Sequence, residues 1–149
     1  MIKEIINRWE RNKHHLEEYI RTTPQSSYDS YEDLVLILIK DCLNHNLEEQ
    51  EWSFSTNFNV IDHGDWQGTQ IFLLHKGIYQ PDIDSYYLFD NYYGSCSGCD
   101  TLLSISGYDD GLPSESQVRK YMYLLLSMVQ RIRCLDDLYR QEEYEQDSN

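Results

Sequence analysis

The sequence predicts an α+β fold with two N-terminal helices, an antiparallel β meander of three or more strands, and a long C-terminal helix. Three observations predict it. Apolar residues recur at helical spacing up to residue 43 and again after residue 113, while residues 52–61 alternate apolar and polar side chains as strands do. The chain, residues 1–149, has the length of one domain, with a polar tail from about residue 140.

Both N-terminal helices have an apolar face and a recognisable boundary. The face of the first consists of Ile2, Ile5, Ile6, Trp9, Leu16, Tyr19 and Ile20. This helix should end before Thr22, because Pro24 disfavours helical backbone in the residue that precedes it. Ser30 and Asp33 form a start signal for the second helix. The aliphatic run at residues 34–39 would also suit a buried strand, but the start signal favours a helix.

The middle of the chain predicts strands separated by glycine-containing loops. WSFSTNFNVI, beginning at Trp52, predicts the first strand, and TQIFLLHK, beginning at Thr69, predicts the returning one. The intervening DHGDWQG is expected to be a loop. SYYLFDNYY, beginning at Ser85, is rich in aromatic residues and predicts the third strand. SGYDDGLP is expected to be a further loop.

The C-terminal helix has the clearest signals. Ser114 and Gln117 form a capping box directly after Pro113. A continuous apolar stripe follows, made of Val118, Tyr121, Met122, Leu125, Val129, Ile132 and Leu135. The pattern predicts one uninterrupted helix packed against the sheet and the first two helices.

Negative charge is concentrated in the middle of the chain. The whole protein has 12 basic and 26 acidic residues, for a net charge of −14. Residues 51–112 contain nine acidic residues and a single base, Lys76. Such a surface repels nucleic-acid phosphates and attracts basic proteins or cations. The alternative is a solvated face that serves solubility alone.

The sequence also predicts where the protein works. No apolar stretch reaches the length of a membrane span, and the N-terminus lacks the apolar core of a signal peptide. We therefore expect a cytoplasmic protein. In that compartment its four cysteines are reduced thiols or metal ligands, rather than disulfides.

Two of these cysteines form a C-x-x-C pair, Cys96 and Cys99, between glycines and serines. Such a turn directs both sulfurs to one point, where zinc needs four ligands in a tetrahedron. His63 is the best candidate for the third ligand, and Asp65 of the same predicted loop for the fourth. Other candidates for the fourth ligand are Asp100, His75, Cys42 and Cys134. A glycine turn with two reduced thiols and no metal is the alternative.

Two other types of chemistry are less favoured at this turn. A thioredoxin-like redox pair lies between a strand and a helix of a βαβ unit, whereas the neighbouring strands here are predicted antiparallel and the surroundings acidic. The stretch GSCSG also matches a cysteine nucleophile elbow, with His63 or His75 as the base. The large sheet that supports such an elbow does not fit this pattern of elements.

Tyrosines and aspartates are interspersed in and around the third predicted strand. Tyrosine gives rigid contact area, and aspartate complements the arginines and lysines that line nucleic-acid channels. The predicted partner-binding residues are Asp82, Asp84, Tyr86, Asp90, Tyr92, Asp109 and Asp110. For any one tyrosine a core position in the strand is the alternative.

Two segments resemble small proteins of bacteriophages and prophages: IDHGDWQGTQIF at residues 61–72 and YYGSCSGCDTLLSISGYDDGLP at residues 92–113. GSCSGCDTL is the most distinctive part. The resemblance implies a viral or prophage setting. The two segments resemble the class of small acidic phage proteins that includes anti-defence inhibitors. Among these are anti-CRISPR proteins, which block a CRISPR effector nuclease, and some of them hold a structural zinc. The resemblance implies no catalytic residues.

These observations lead to the hypothesis of a non-enzymatic inhibitor. Its acidic, tyrosine-rich β region would occupy the basic nucleic-acid-binding surface of a host defence nuclease, and a structural zinc would fix the C-x-x-C turn. An immunity protein of a toxin nuclease would need the same charge, and a small metal- or cysteine-dependent hydrolase is the enzymatic alternative. A plain interaction module of the virion, acidic only for solubility, is a further one.

Overall fold

A computed structural model describes residues 2–64 and 68–147, with all side chains in these ranges except His63 and residues 142–147. The protein has an α+β architecture with N-terminal helices, a four-stranded antiparallel sheet and a short C-terminal helix. The elements are α1 Ile2–Thr22, α2 Tyr31–Leu38, β1 Asn59–Gly64, β2 Gly68–His75, β3 Tyr86–Tyr93, α3 Thr101–Ser106, α4 Glu115–Arg131, β4 Arg133–Cys134 and α5 Leu135–Asp147.

The second N-terminal segment is a helix, as its start signal predicts. The backbone amide of Asp33 donates a hydrogen bond of 3.1 Å to the Ser30 hydroxyl, which caps α2. After Leu38 the backbone widens into a π-helical turn, Ile39–Leu43. A helix end leaves backbone carbonyls without partners, and side chains of α1 bind them. The amide of Asn12, for example, donates to the carbonyls of Cys42 and His45, at 2.8 Å each.

Arg8 lies fully buried at this junction between α1 and the end of α2. Its guanidinium donates to the carbonyl oxygens of Leu43 at 3.2 Å and Trp52 at 2.7 Å, and to the Glu4 carboxylate at 3.0 Å. It also lies over the Trp52 ring, 4.2 Å from the centroid. One planar cation thus joins three segments that are distant in sequence.

The sheet has the order β1-β2-β3-β4, with all neighbours antiparallel. Side chains of β2 and β3 alternate between a face turned to the helices and a face turned to solvent. The inward residues are Gln70, Phe72, Leu74, Tyr87, Phe89 and Asn91. The apolar residues among them meet the apolar faces of α1, α2 and α4 in one hydrophobic cluster. The strand edge of β3 beyond Leu88 has no neighbouring strand in the described chain, because β4 pairs only with Tyr87 and Leu88.

The first strand begins later than predicted, at Asn59 rather than Trp52. The preceding segment pairs with the end of β2 only briefly, at an isolated bridge between Phe54 and Lys76, and is otherwise tied to the end of α2. The side chain of Asn44 accepts from the Phe54 amide at 2.7 Å and donates to the Phe54 carbonyl at 2.8 Å. The Phe54 ring then packs edge-on against Tyr87, with centroids 5.4 Å apart. The alternation of this segment therefore reflects burial of its aromatic residues, not strand pairing along its length.

The prediction of one long C-terminal helix is wrong. The Ser114–Gln117 capping box is present, but α4 ends at Arg131, and Ile132 has extended backbone with φ −65° and ψ 132°. Cys134 then pairs with Tyr87 at the edge of β3, and α5 begins at Leu135. Ile and Cys are weak helix formers, and both side chains are buried here, so pairing with the sheet replaces the helix at little cost.

The structure also contains a helix, α3, that the sequence reasoning did not identify. The Asp100 side chain caps its first turn, and Gly107 ends it in left-handed conformation with φ 57°. In the described part of the chain, no helix is both long and apolar enough to cross a membrane.

Candidate functional site

Residues 94–99 form the connection between β3 and α3, which we call the thiol turn. The sulfurs of Cys96 and Cys99 lie 2.6 Å apart, with Cys96 exposed and Cys99 half-buried. The Cys99 amide donates to the Cys96 carbonyl at 3.0 Å, which closes the turn. The sequence therefore identified the paired thiols correctly, and the structure adds that they lie in contact between a strand and a helix.

Hydrogen bonds concentrate on the sulfur of Cys99. The Cys96 amide donates to it at 3.0 Å, and the Ser95 hydroxyl lies 4.0 Å away. The hydrogen bond from the Cys96 thiol, followed by that from its amide, lowers the pKa of Cys99, although burial opposes the shift. Hydrogen bonds that stabilise a charged form favour ionisation, so these bonds stabilise the thiolate form of Cys99.

Asp100 anchors the thiol turn to the rest of the molecule. It is 5% exposed, and its carboxylate accepts from the Tyr31 hydroxyl at 2.9 Å, the Leu103 amide at 3.1 Å and the Gly94 amide at 2.9 Å. These bonds join α2, the start of α3 and the end of β3. The carboxylate is committed to this network, which makes Asp100 a structural residue rather than a zinc ligand.

Gly94 is required by the close approach of Cys99. A Cβ atom at position 94 would lie 2.5 Å from the Cys99 carbonyl oxygen and 2.8 Å from its sulfur, distances that real Cβ atoms do not show. At Gly98, by contrast, the nearest atom to an added Cβ would be the Cys96 sulfur at 4.0 Å, an ordinary contact. The two glycines thus differ sharply in what a methyl group would displace.

The remaining predicted zinc ligands are only partly placed. The backbone of His63 lies in β1 opposite Thr69, which in turn lies opposite Tyr92, so it shares the sheet end from which the thiol turn leaves. The His63 side chain and Asp65 lie outside the described part of the structure. Zinc bound tetrahedrally at about 2.3 Å separates two sulfurs by about 3.7 Å, so one sulfur would have to turn away to admit the ion. Among the described side chains no group of three or more His, Cys, Asp or Glu could hold a metal. Zinc at this turn stays a prediction.

The other candidate ligands lie elsewhere. His75 pairs with Tyr86 at the start of β3, whereas the thiol turn follows its end, about 24 Å away for eight residues of strand. Its ring nitrogens lie 2.9 Å from the carbonyl oxygen of Lys76 and 3.0 Å from that of Asn57. His75 is therefore neither a ligand nor a base for Cys96. Cys134 pairs at the same distant end of β3. Cys42 is fully buried, and burial raises its pKa to about 12.

The predicted partner-binding residues lie in three places. Tyr86, Asp90 and Tyr92 share the face of β3 turned away from the core, where Tyr92 is 55% exposed. Asp82 and Asp84 are exposed in the segment before β3. The last two, Asp109 and Asp110, are exposed in the loop between α3 and α4.

These three places are not brought together. The loop of Asp110 lies near the start of α4, because the Asp110 carbonyl accepts from Ser26, close to where Arg21 binds Glu115. Asp84 lies near the other end of that helix, since α5 contacts the segment before β3. A 17-residue helix spans about 25 Å. The acidic residues therefore form a distributed surface with separate clusters.

Among the described aspartates of the central block, residues 51–112, six are exposed, and we call them the acidic set: Asp62, Asp82, Asp84, Asp90, Asp109 and Asp110. Within the described chain only Asp90 has a cationic neighbour, Arg131 at 3.7 Å. Lys76, the one base of the block, lies over the Trp52 ring at 4.8 Å. The negative charge of the acidic set is thus left largely uncompensated by the protein itself.

Sequence reasoning missed a groove of about 520 Å³ beside the free edge of β3. Its walls are Asp90, Asn91, Tyr92, Thr101, Ser104, Ile105, Lys120, Tyr123, Leu124, Ser127 and Arg131. Arg131 donates to the Asp90 carbonyl from two nitrogens, at 3.1 and 3.2 Å. The sequence contains a signal for it, because Lys120, Tyr123 and Ser127 recur at helical spacing beside the apolar stripe of α4.

The arrangement offers two kinds of chemistry. The thiol turn presents two sulfurs that can bond to each other or to a metal, and the acidic set presents charge for a cationic partner.

Comparisons of the chain with protein families, with curated proteins and with solved structures find no match.

Proposed function

We propose that the protein is a non-enzymatic inhibitor that occupies the basic nucleic-acid-binding surface of another protein, such as a CRISPR effector or another defence nuclease. The observation that carries the proposal is the acidic set, six exposed aspartates with a single ion pair among the described residues. A basic partner supplies the counter-charges that this chain does not.

The outer face of the sheet is the proposed centre of the contact. Ile61, Ile71 and Asp90 lie side by side across three strands, and Ile61 is 46% exposed. Tyr92 follows Asp90 on the same face. An exposed aliphatic and aromatic patch beside an aspartate matches the composition of protein interfaces, in which tyrosines anchor and charges select the partner.

The separation of the acidic clusters favours a wide contact over a small pocket. Asp82 and Asp84 at one end of α4, and Asp109 and Asp110 at the other, would reach cationic residues along an elongated cleft. Nucleic-acid channels have cationic residues along their length, because they follow a phosphate backbone with regularly repeated charges. Complementary potentials raise the association rate and make it sensitive to salt. In this proposal zinc, if bound at the thiol turn, would support only the local shape.

The test is capture of a partner from bacterial extracts by the full chain carrying an affinity tag. The informative variant is Asp82→Asn, Asp84→Asn and Asp90→Asn together. Its matched control is Glu10→Gln, Glu32→Gln and Glu49→Gln, which removes the same charge from exposed positions in the N-terminal half. We expect the first variant to lose the partner and the control to retain it.

The captured protein is then purified and titrated with labelled DNA or RNA. We expect this chain to displace the nucleic acid, and its affinity to fall by about tenfold or more between low and high salt. A toxin nuclease as the partner would identify the chain as an immunity protein that uses the same surface. Equal capture by both variants, or a partner that keeps its nucleic acid, would contradict the proposal.

A further inference from the structure

The thiol turn has a geometry that an acidic binding surface does not require. Two sulfurs lie 2.6 Å apart at the surface, in a turn that is fixed by a buried carboxylate and by a glycine with no room for a methyl group. We propose that Cys96 and Cys99 form a reversible dithiol–disulfide couple that exchanges with disulfides of the glutathione type. This inference is independent of the proposed function.

The surroundings of the pair suit redox chemistry better than the sequence predicts. Although the neighbouring strands are antiparallel, the pair still lies between a strand, β3, and a helix, α3. The adjacent carboxylate, Asp100, does not face the sulfurs as a free charge. Its oxygens are bound by the amides of Gly94 and Leu103 and by the Tyr31 hydroxyl.

The exchange proceeds in two balanced steps. The exposed Cys96, as its thiolate, attacks one sulfur of the incoming disulfide, forms a mixed disulfide and releases one thiolate of the substrate. Cys99, whose sulfur already accepts a hydrogen bond from the Cys96 amide, then attacks the Cys96 sulfur and releases the second thiolate. Two protons leave the two cysteines and return to the two released thiols. The two cysteines lose two electrons, and the substrate disulfide gains them.

The other cysteines cannot take part. Cys42 is fully buried and Cys134 is 5% exposed. An incoming disulfide reaches neither sulfur without unfolding, whereas Cys96 is exposed. The couple is therefore confined to the thiol turn, and the buried thiols serve as internal controls.

The experiment equilibrates the reduced full chain, without oxygen, in buffers of reduced and oxidised glutathione at stepped ratios. Free thiols are then blocked by alkylation, and the peptides are measured by mass spectrometry. We expect the peptide with Cys96 and Cys99 to lose both labels together and to regain both on return to reduced glutathione. Cys42 and Cys134 should give the same labelling, measured after denaturation, at every ratio.

Two variants test the mechanism. Cys99→Ser removes the second attack, and should hold the mixed disulfide at Cys96 for about ten times longer than the native chain or more, because ring closure is intramolecular. Gly94→Ala should force Cys99 away from Cys96 and make the disulfide harder to form. The ratio of oxidised to reduced glutathione at which half of the chains are oxidised should then rise about tenfold. Gly98→Ala is the matched control and should leave the ratio unchanged. Circular dichroism confirms that each variant is folded.

Three results would overturn the proposal. One is a pair that stays reduced in oxidised glutathione alone. Another is loss of the two labels independently of each other. The third is one zinc ion per purified chain that prevents oxidation until a chelator removes it, since a metal-bound sulfur is not available for exchange.

Discussion

The hydroxyl of Tyr31 donates a hydrogen bond of 2.9 Å to the carboxylate of Asp100, across 69 positions of the sequence. The hydroxyl oxygen of Tyr31 also accepts a hydrogen bond from the Leu102 amide at 3.2 Å. This pair attaches the segment with the two thiols to the second helix. The thiol turn is therefore supported from the helical side of the molecule as well as from β3.

We expect Tyr31→Phe to lower the free energy of unfolding by about 1–3 kcal/mol, because a buried carboxylate and a buried amide each lose a partner. Urea denaturation measures the change. Tyr123→Phe, at a position 70% exposed, is the matched control and should leave stability nearly unchanged. Equal effects of both substitutions would mean that the Tyr31–Asp100 bond contributes nothing.

Asp100→Asn should also destabilise the protein, by about 2–3 kcal/mol. Asparagine can still cap α3, but its NH₂ group cannot accept the Gly94 amide hydrogen while its single oxygen serves the other two donors. Asp109→Asn offers the comparison, because that carboxylate accepts from the Gly111 amide at an exposed position. Unfolding by urea is again the measurement, and similar midpoints for the two variants would contradict the structural role of Asp100.

Arg8→Lys tests the buried cation. An ammonium group cannot reach the Leu43 and Trp52 carbonyls with the planar fork that the guanidinium provides. We expect a loss of about 3 kcal/mol or more, since a buried charge would keep only part of its hydrogen bonds. Arg11→Lys, which changes a more exposed cation that binds Glu51, should cost less than about 1 kcal/mol. The prediction fails if the two thermal midpoints agree.

Alkaline pH should destabilise the fold through its buried tyrosines, because burial raises the pKa of Tyr28 and Tyr31 as well as that of the two residues considered next. Burial raises the pKa of Tyr87 to about 12 and that of Tyr121 to about 12, whereas tyrosine in an unfolded chain ionises near pH 10. The stability that each contributes is fully present below about pH 10 and is lost as the pH rises through 12, at most about 3 kcal/mol for each residue.

The measurement is the free energy of unfolding at steps between about pH 9 and pH 12. This range runs from below the pKa of tyrosine in the unfolded chain up to its raised pKa in the fold. Tyr121→Phe should make this dependence shallower by its own share, while Tyr79→Phe, at a position 90% exposed, should leave the slope as it is. A free energy that is constant over the range would show that the buried phenols ionise as freely as exposed ones.

Much of the fold could be predicted because its signals are local. The cap at Ser30, the capping box at Ser114 and the alternation in β2 and β3 each depend on residues a few positions apart. The break after Arg131 could not be predicted in this way. It depends on pairing of Cys134 with Tyr87, a contact between residues far apart in sequence, while the apolar stripe runs through the break without interruption.

The candidate site shows the same limit. The spacing of Cys96 and Cys99 predicts that their sulfurs meet, because two intervening residues are enough to close the turn. The role of Asp100 could not be inferred from its neighbours, since its partner Tyr31 belongs to another helix. Likewise, the composition of the central block predicts an acidic surface, but only the placement of α4 between the clusters shows that the charge is divided.

The short length of β4 has a consequence for self-association. Beyond Leu88 the outer edge of β3 would accept a strand from another molecule, which is how sheets begin to aggregate. We expect Arg131 to oppose such pairing, because its guanidinium already donates to the Asp90 carbonyl and places a charged group at this edge. A single side chain at the end of a helix would then protect an open edge of the sheet.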